Sequence, residues 1–583
     1  MRASLPHRAL APPRCPDQMS LHSRVRTADP LAAGELGRAL GLSPALAQVL
    51  LHRGFGEGAD QVARARDFLS PKLADLTPPD AMLDRALAAD RLARAVRAGE
   101  RIAIFGDYDV DGTTSAAILA DVLEALGGEV CALVASRFSG GYGFSEEALA
   151  RVLDTGAKLL VTCDCGSSDH PRIAAARAKG LDVIVVDHHL VPAEPLPALA
   201  FLNPHRPECG FAYKHLTSAG LAFSLGAAVR AALGKKLDLR PWLDLVALGT
   251  IADVAPLDGD NRRLVRAGLA QLALPDARPG IVALREVARV RAGTPLGAID
   301  VAFRLAPRLN AAGRLGDPTV TLELLRARTP TLARALAAKI DLLNEERKQV
   351  ERAVTEAAIA QALEVYGEHP SAGVVVAGEG WHRGVVGITA ARLVERFAVP
   401  VVVVGIDDGI GHGSCRAPDG FRLFDAVSAC ASELERFGGH QAAAGLTVRA
   451  SRVEALRASF DDAVRAVSAR HGLTQTETPI DVTLDGSTFT VPAARELAML
   501  EPLGCGNEEP LFALPGVKVL RASVVQERHL KLSLRCGRTS IEAFGFDLAG
   551  RLGAAQGQID IVGSLRPDTW RGGDAVELRI TDL

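Results

Sequence analysis

Asp107, Asp109 and Asp111 stand at alternate positions in GDYDVDGTTS (residues 106–115), directly after the apolar run Ile102-Ala103-Ile104-Phe105. Three carboxylates this close at the end of a buried strand repel one another strongly, so they must protonate, face water or bind cations. Gly112 is read as turning the chain, with Thr113 capping a helix over residues 114–126. Strand, loop and helix in that order is where parallel α/β folds place their chemistry, at the carboxyl edge of the sheet. The decapeptide alone also fits a solvated acidic turn, so the decision rests on what else arrives at that edge.

Two further apolar runs end in the same way. Residues 159–162 lead into Cys163-Asp164-Cys165-Gly166, and residues 183–186 lead into Asp187-His188-His189. A fourth contribution is Asp253 in GTIADVAPL (residues 249–257), where a carboxylate among apolar neighbours needs a partner. Taken singly, Asp164 fits a helix cap, the His pair a surface position, and Asp253 a structural ion pair. Together they supply five or more carboxylates and a His. That oxygen-rich set with one or two imidazoles suits two Mn²⁺ or Mg²⁺ ions rather than zinc held by thiolates. Cys163 and Cys165 flank Asp164 on alternate sides of an extended segment, so both cannot point with it into the site.

The elements that must hold these groups follow from the pattern of apolar runs. Residues 102–105, 130–135, 158–162, 183–186 and 199–202 read as strands separated by helical segments, which predicts a parallel, doubly wound sheet. Residues 30–98 read as helices expected to pack on it. Residues 329–366, rich in Ala, Leu, Glu and Arg and free of Gly, predict one long helix acting as a solvated strut between domains. A second α/β unit follows over residues 373–472, with strands at 374–377 and 401–405. Its Gly-rich turns are WHRGVVGI, GHGSCRA and GGHQAAAG. Glycine beside Ser414, Arg416 and His440 lets backbone amides approach an anion, and Arg416 can grip a phosphate in bidentate fashion. From residue 479 onward, five alternating segments (517–524, 529–536, 540–546, 559–565, 575–580) suit a small closed barrel of the OB type, or a plain β-domain that braces the enzyme.

Size and composition agree with several domains and exclude some functions. A chain of 583 residues is too long for one core. A net charge of −3 argues against coating duplex DNA by bulk electrostatics, so a nucleic-acid partner needs a local basic groove. Apolar runs such as 399–406 are too short to cross a bilayer, and no membrane span is expected. Nine cysteines, odd in number and scattered, make no disulfide framework, which fits a reducing cytoplasm best. The Arg- and Pro-rich start lacks the apolar core of a secretory signal. Residues 1–29 are expected to be a disordered extension, with Met19 an alternative start.

GDYDVDG, VTCDCG, VIVVDHH, GTIADVAPL and RLNAAGR (residues 308–314) occur in the order found in the DHH phosphoesterase superfamily, and as a set the chain resembles its RecJ family of single-strand-specific 5′→3′ DNA exonucleases. The resemblance implies a parallel-sheet DHH domain with a helical N-terminal part (30–328), a connecting helix (329–366), a DHH-associated substrate-binding domain (367–472) and an OB-fold domain (473–583). It makes Asp109, Asp111, Asp164, His188 and Asp253 metal ligands, with Asp164 bridging two ions of Mn²⁺ or Mg²⁺ and Asp107 a ligand or close neighbour. Asp187 would orient His188. His189, Arg314, Arg416, His440, Ser414 and Asn310 would face the substrate. Single-stranded DNA is the implied substrate, with helicases or single-strand-binding proteins as partners and a monomer as the working state. The chain departs from the pattern at Ser139-Gly140, at Cys165 where Asn is usual, and at Ala417 where Ser is usual. None of these removes a ligand.

Other members of the superfamily fit less well. A manganese pyrophosphatase is disfavoured because Phe105 stands where those enzymes place a metal-binding His. A small phosphodiesterase for dinucleotides or short oligonucleotides is disfavoured by length and by the terminal β-domain. A catalytically dead replication scaffold of the same superfamily would have lost ligands that this chain retains.

Overall fold

The computed structural model describes residues 23–138, 143–291, 293–471, 478–484, 488, 490–537, 539–568 and 575–583. The departures at Ser139-Gly140, the boundary expected at 472/473 and most of the N-terminal extension lie outside the described residues. The chain divides into two compact units. One holds residues 73–476 and 504–506; the other holds the chain up to residue 72, residues 477–503 and residues 507–583.

The larger unit is built on a five-stranded parallel sheet in the order Glu129–Val134, Arg101–Gly106, Leu159–Cys163, Asp182–Val186, Ala200–Leu202. Alternation along the central strand divides its side chains between two cores. Ile102 and Ile104 pack with the helices Arg85–Ala98, Val110–Ala125 and Ser218–Ala232. Ala103 and Phe105 pack with Glu146–Asp154 and His170–Ala178 on the other face. Cys163 and Cys165 fall into these two different cores, although residues two apart in an extended strand share a face, because Asp164 between them takes a left-handed backbone (φ 64°) and breaks the alternation.

The helix after the aspartate run begins earlier than expected. It spans Val110–Ala125, capped by Asp109, whose carboxylate accepts from the Gly112 N–H at 3.0 Å; Thr113 is inside it. Gly112 does not turn the chain but lets it pass close. A Cβ there would lie 2.5 Å from the Asp107 nitrogen, and one on Gly106 would lie 2.3 Å from the Gly112 carbonyl oxygen.

The long helix Pro330–Tyr366 is capped by Thr329 and is not a merely solvated strut. Ala333, Ala337 and Ile340 are buried in the core of the parallel sheet, while Ala358 and Ala362 are buried against the second sheet. That sheet has the order Arg436–Gly439, Ala443–Arg449, Ile410–Arg416, Val401–Asp407, Val374–Glu379. Only its last pair is parallel.

The smaller unit is a barrel of Phe512–Val525, His529–Cys536, Thr539–Gly545, Val576–Asp582 and Gln558–Pro567, closed by pairing of the first strand with the last. Its core corrects one expectation. The helices Pro30–Leu40, Pro44–Leu50 and Gln61–Leu69 share their buried face with Leu530, Leu532 and Leu534 of the barrel, whereas Arg85–Ala98 packs on the parallel sheet. Helical periodicity reveals a buried face but not its partner. Residues 23–29 are likewise structured: Ser23–Val25 pairs in parallel with Thr478–Ile480, and Asp29 caps the next helix. Among the described residues no helix is long and apolar enough to cross a membrane.

Candidate metal centre

Three adjacent strands of the parallel sheet end at one place and deliver the expected groups there. After Arg101–Gly106, Asp107 is buried with its Oδ1 lacking a hydrogen-bond donor among the described residues, while Asp109 caps the helix that follows. Asp111 lies in that helix's first turn, and its two oxygens accept from the Ser218 N–H (2.8 Å) and the Ala219 N–H (3.0 Å), the first two residues of Ser218–Ala232. Close packing allows this, since a Cβ on Gly249 would lie 2.5 Å from Asp111 Oδ1.

After Leu159–Cys163, Asp164 takes a left-handed backbone (φ 64°), a costly conformation for a residue with a Cβ, and it is held by its N–H to the Val186 carbonyl (2.9 Å). Its Oδ1 accepts from the Ser218 hydroxyl at 3.1 Å and lies 3.2 Å from His188 Nε2. After Asp182–Val186, the buried Asp187 accepts from the backbone N–H groups of His188 (2.8 Å), His189 (3.2 Å) and Ser167 (3.0 Å). Its Oδ1 also lies 2.7 Å from His189 Nδ1. Asp187 is therefore spent on orienting the His pair. Asp253, the C-cap of Leu243–Ala252, brings Oδ2 to 3.8 Å from His188 Nε2, and Asp111 Oδ2 lies 3.9 Å from the same nitrogen.

Two trios of donor atoms result, each within 4.8 Å: Asp107, Asp109 and Asp164, and Asp164, His188 and His189. Asp164 belongs to both. Without a cation this arrangement is electrostatically costly. Burial first, then the Asp109 charge, pushes Asp107 and Asp164 well above the carboxylate range and Asp111 up to about 7. Burial, then Asp111, pushes Asp253 up to about 8. Burial and the neighbouring His189 hold His188 down to about 4. Burial opposes the charge on His189, but the Asp187 carboxylate outweighs it and raises that imidazole to about 9. Among the described residues, the buried His188 Nε2 and Asp107 Oδ1 have no hydrogen-bond partner. Orphaned donors of this kind, within a set of carboxylates and an imidazole, fit hard or borderline divalent cations such as Mn²⁺ or Mg²⁺.

The expected substrate-side residues are only partly assembled. Arg314, on Ala306–Leu315, donates to the Gly384 carbonyl at 3.3 Å; burial, then the Arg137 and Arg347 charges, lowers it to about 10. Arg416 donates to the Ser414 hydroxyl at 3.1 Å, and Gly387 leaves room beside both, since a Cβ there would lie 3.1 Å from Ser414 Oγ. The turn over residues 382–387 thus links Arg314 with Ser414 and Arg416. Asn310 sits one helical turn before Arg314 on the same face. His440 is exposed on the hairpin after Arg436–Gly439, with no side-chain contact to this group.

Several residues escaped sequence reasoning. Ser218 serves Asp111 by its backbone and Asp164 by its hydroxyl. Asn203 donates to the His189 carbonyl (2.8 Å) and the Ser167 hydroxyl (3.2 Å). Arg137 lies over the Tyr108 ring, 4.4 Å from its centre. Asn203 follows the strand Ala200–Leu202 at the same sheet edge, so the strand-end rule that found Asp164 applied to it too.

Comparison with known proteins gives matches along the whole architecture. The DHH family N-terminal domain matches residues 101–250, the DHHA1 domain residues 371–466 and the RecJ OB domain residues 480–582. The single-stranded-DNA-specific exonuclease RecJ of Bacillus subtilis is 35% identical over 553 residues, covering 93% of this chain and 68% of that protein. Its Escherichia coli counterpart is 36% identical over 519 residues, covering 85% and 89%. Among solved structures, RecJ in complex with Mn²⁺ from Thermus thermophilus superimposes with a TM-score of 0.80 at 34% identity, covering 96% of this chain and 78% of that one.

Proposed function

The chain belongs to the RecJ family, and from that premise we infer that it is a metal-dependent exonuclease specific for single-stranded DNA, working 5′→3′ and releasing mononucleotides in DNA repair and recombination. The observation that carries the chemistry is the pair of donor trios sharing Asp164 at the carboxyl edge of the parallel sheet. Asp107, Asp109, Asp111, Asp164, His188 and Asp253 are the residues that would hold two ions of Mn²⁺ or Mg²⁺. When bound, such ions activate a water and offset the charge that develops on the phosphorus centre during in-line displacement.

The chain's own residues then have distinct tasks. Asp187 fixes the His pair, and with His189 Nδ1 turned to Asp187, Nε2 is the ring nitrogen left for a substrate phosphate. Arg314 and Arg416, neither of which pairs with a carboxylate among the described residues, supply planar donors for flanking phosphates, with Ser414 and Asn310 beside them. His440 retains a contact further along the strand. Helicases and single-strand-binding proteins suit it as partners, because an enzyme of this kind needs unwound DNA. One chain carries every proposed ligand, so a monomer suffices. Oligonucleotides labelled at the 5′ or the 3′ end, single- or double-stranded, with Mn²⁺, Mg²⁺ or EDTA, test this function. Metal-dependent loss of the 5′ label from single strands as mononucleotide is expected, and cutting that starts from the 3′ end or prefers duplex contradicts it.

A further inference from the structure

Phe138 is 36% exposed, although it stands where the parallel-sheet domain meets the second α/β domain. The guanidinium of Arg383 lies over its ring, 4.6 Å from the centre, and the His382 ring lies 5.6 Å away at 58°. His382 Nδ1 accepts from the Gly384 N–H at 3.1 Å, so its other ring nitrogen carries the hydrogen. One residue back, Arg137 covers Tyr108, between Asp107 and Asp109. Two residues beyond His382, Gly384 abuts the Arg314 carbonyl.

Several arginines gather around this ring. Among the described residues Arg137, Arg314, Arg383 and Arg416 form no ion pair, whereas Arg308 pairs with Asp341 (2.8 Å) and Arg347 with Glu351. Arginines without carboxylates, gathered beside a cluster of metal-ligand type, suit a run of phosphates. An aromatic ring left open among them contributes nothing to phosphate binding. It does suit a nucleobase, whose faces are free only in an unpaired strand.

We propose that Phe138, backed by Arg383 and His382, is a stacking wedge for a base at the end of the strand being cut. This rests on the single-strand exonuclease function above and deepens it: the wedge rewards unpaired bases at the cleft, adding selection for single strands to the grip on phosphates.

The test uses the full chain with Mn²⁺ and 5′-phosphorylated 12-mers, either intact or abasic at the first two positions. Wild-type protein is expected to cut the intact strand with kcat/KM about tenfold higher, within the range of one base–aromatic stack. Phe138→Ala is expected to lose about tenfold on the intact strand and to treat both substrates alike. Phe138→Leu, which keeps bulk without a π-face, behaves like Phe138→Ala, and Phe138→Trp restores the preference. Unchanged Mn²⁺ binding and Tm show that the variants are folded. A Phe138→Ala or Phe138→Leu enzyme that keeps the wild-type preference overturns the wedge, as does a wild type indifferent to missing bases. A wild type that cuts neither strand overturns the exonuclease function itself.

Discussion

Ser218 reaches Asp111 through its backbone: its N–H donates to Oδ2 at 2.8 Å, from the first residue of a helix whose dipole favours the charge. The Ser218 side chain is left to bind Asp164 at 3.1 Å. Ser218→Ala therefore keeps Asp111 in place and deletes one hydrogen bond to the carboxylate shared by both trios. Urea denaturation is expected to show a loss of about 1–3 kcal/mol. In the same variant kcat should fall with Mn²⁺ binding weakened. Wild-type kcat and Mn²⁺ affinity would show that Asp164 needs no such support.

The turn over residues 382–387 should be separable from the metal ligands. A Cβ on Gly384 would lie 1.9 Å from the Arg314 carbonyl oxygen, so Gly384→Ala must displace the turn or the helix carrying Arg314. Gly384→Ala, Arg416→Ala and His440→Ala are all expected to bind Mn²⁺ with wild-type stoichiometry in calorimetry and to bind single strands more weakly. The smallest effect is expected for His440, which is exposed and apart. Loss of Mn²⁺ binding in Arg416→Ala would move that residue among the ligands.

Stability in the absence of metal should depend on pH in a definite direction. In the folded, metal-free protein Asp111 and Asp253 keep their protons up to about pH 7 and 8, while the unfolded chain releases them in the ordinary carboxyl range. These two carboxyls bind more protons in the native state across that window, so their contribution to stability falls as pH rises from about 4 to about 8. A divalent ion replaces those protons, and its apparent affinity rises over the same window. The gap in Tm between Mn²⁺ and EDTA should widen from pH 5 to pH 8. A gap independent of pH would contradict the assignment of these carboxyls to the metal.

The barrel carries a surface that suits a strand. Phe544 and Phe546 lie 4.8 Å apart with His529 at 5.6 and 5.3 Å, Arg579 is over Phe546 at 4.9 Å, and Lys531 and Arg579 flank Phe544 in register. Phe546 is 51% exposed. Replacing Phe544 and Phe546 by Ala should weaken binding of strands of about 20 nucleotides by about 1–3 kcal/mol per base that no longer stacks. Lys531→Ala with Arg579→Ala should flatten the slope of log affinity against log salt by about 0.7 for each phosphate left without its cation. Unchanged affinity and slope in both would leave the barrel as a brace.

Much of this was legible in the sequence because strand ends are marked twice. An apolar run stops, and a polar residue that cannot stay buried alone follows it; Asp107, Asp164, Asp187 and His188 all stand at such points. Alternation likewise placed each barrel strand close to its observed span. What escaped depends on partners distant in the chain or on backbone groups. Thr113 and Asp109 are both good caps, and the helix starts from Asp109, where Gly106 and Gly112 let the chain cross closely. Nothing local in residues 30–69 says that their apolar faces meet a barrel more than 400 residues away. Ser218 acts on Asp111 through an N–H that every residue except proline possesses.

The shared position of Asp164 is tested most directly by counting Mn²⁺ ions. Two per chain are expected in the wild type by calorimetry, with an electron paramagnetic resonance spectrum showing coupled ions. In folded Asp164→Ala the coupling should vanish, at least one ion should be lost, and hydrolysis should fall by at least about 10³, roughly 4 kcal/mol of barrier. Two coupled ions in that variant, or more than a tenth of wild-type activity, would contradict a centre organised around Asp164.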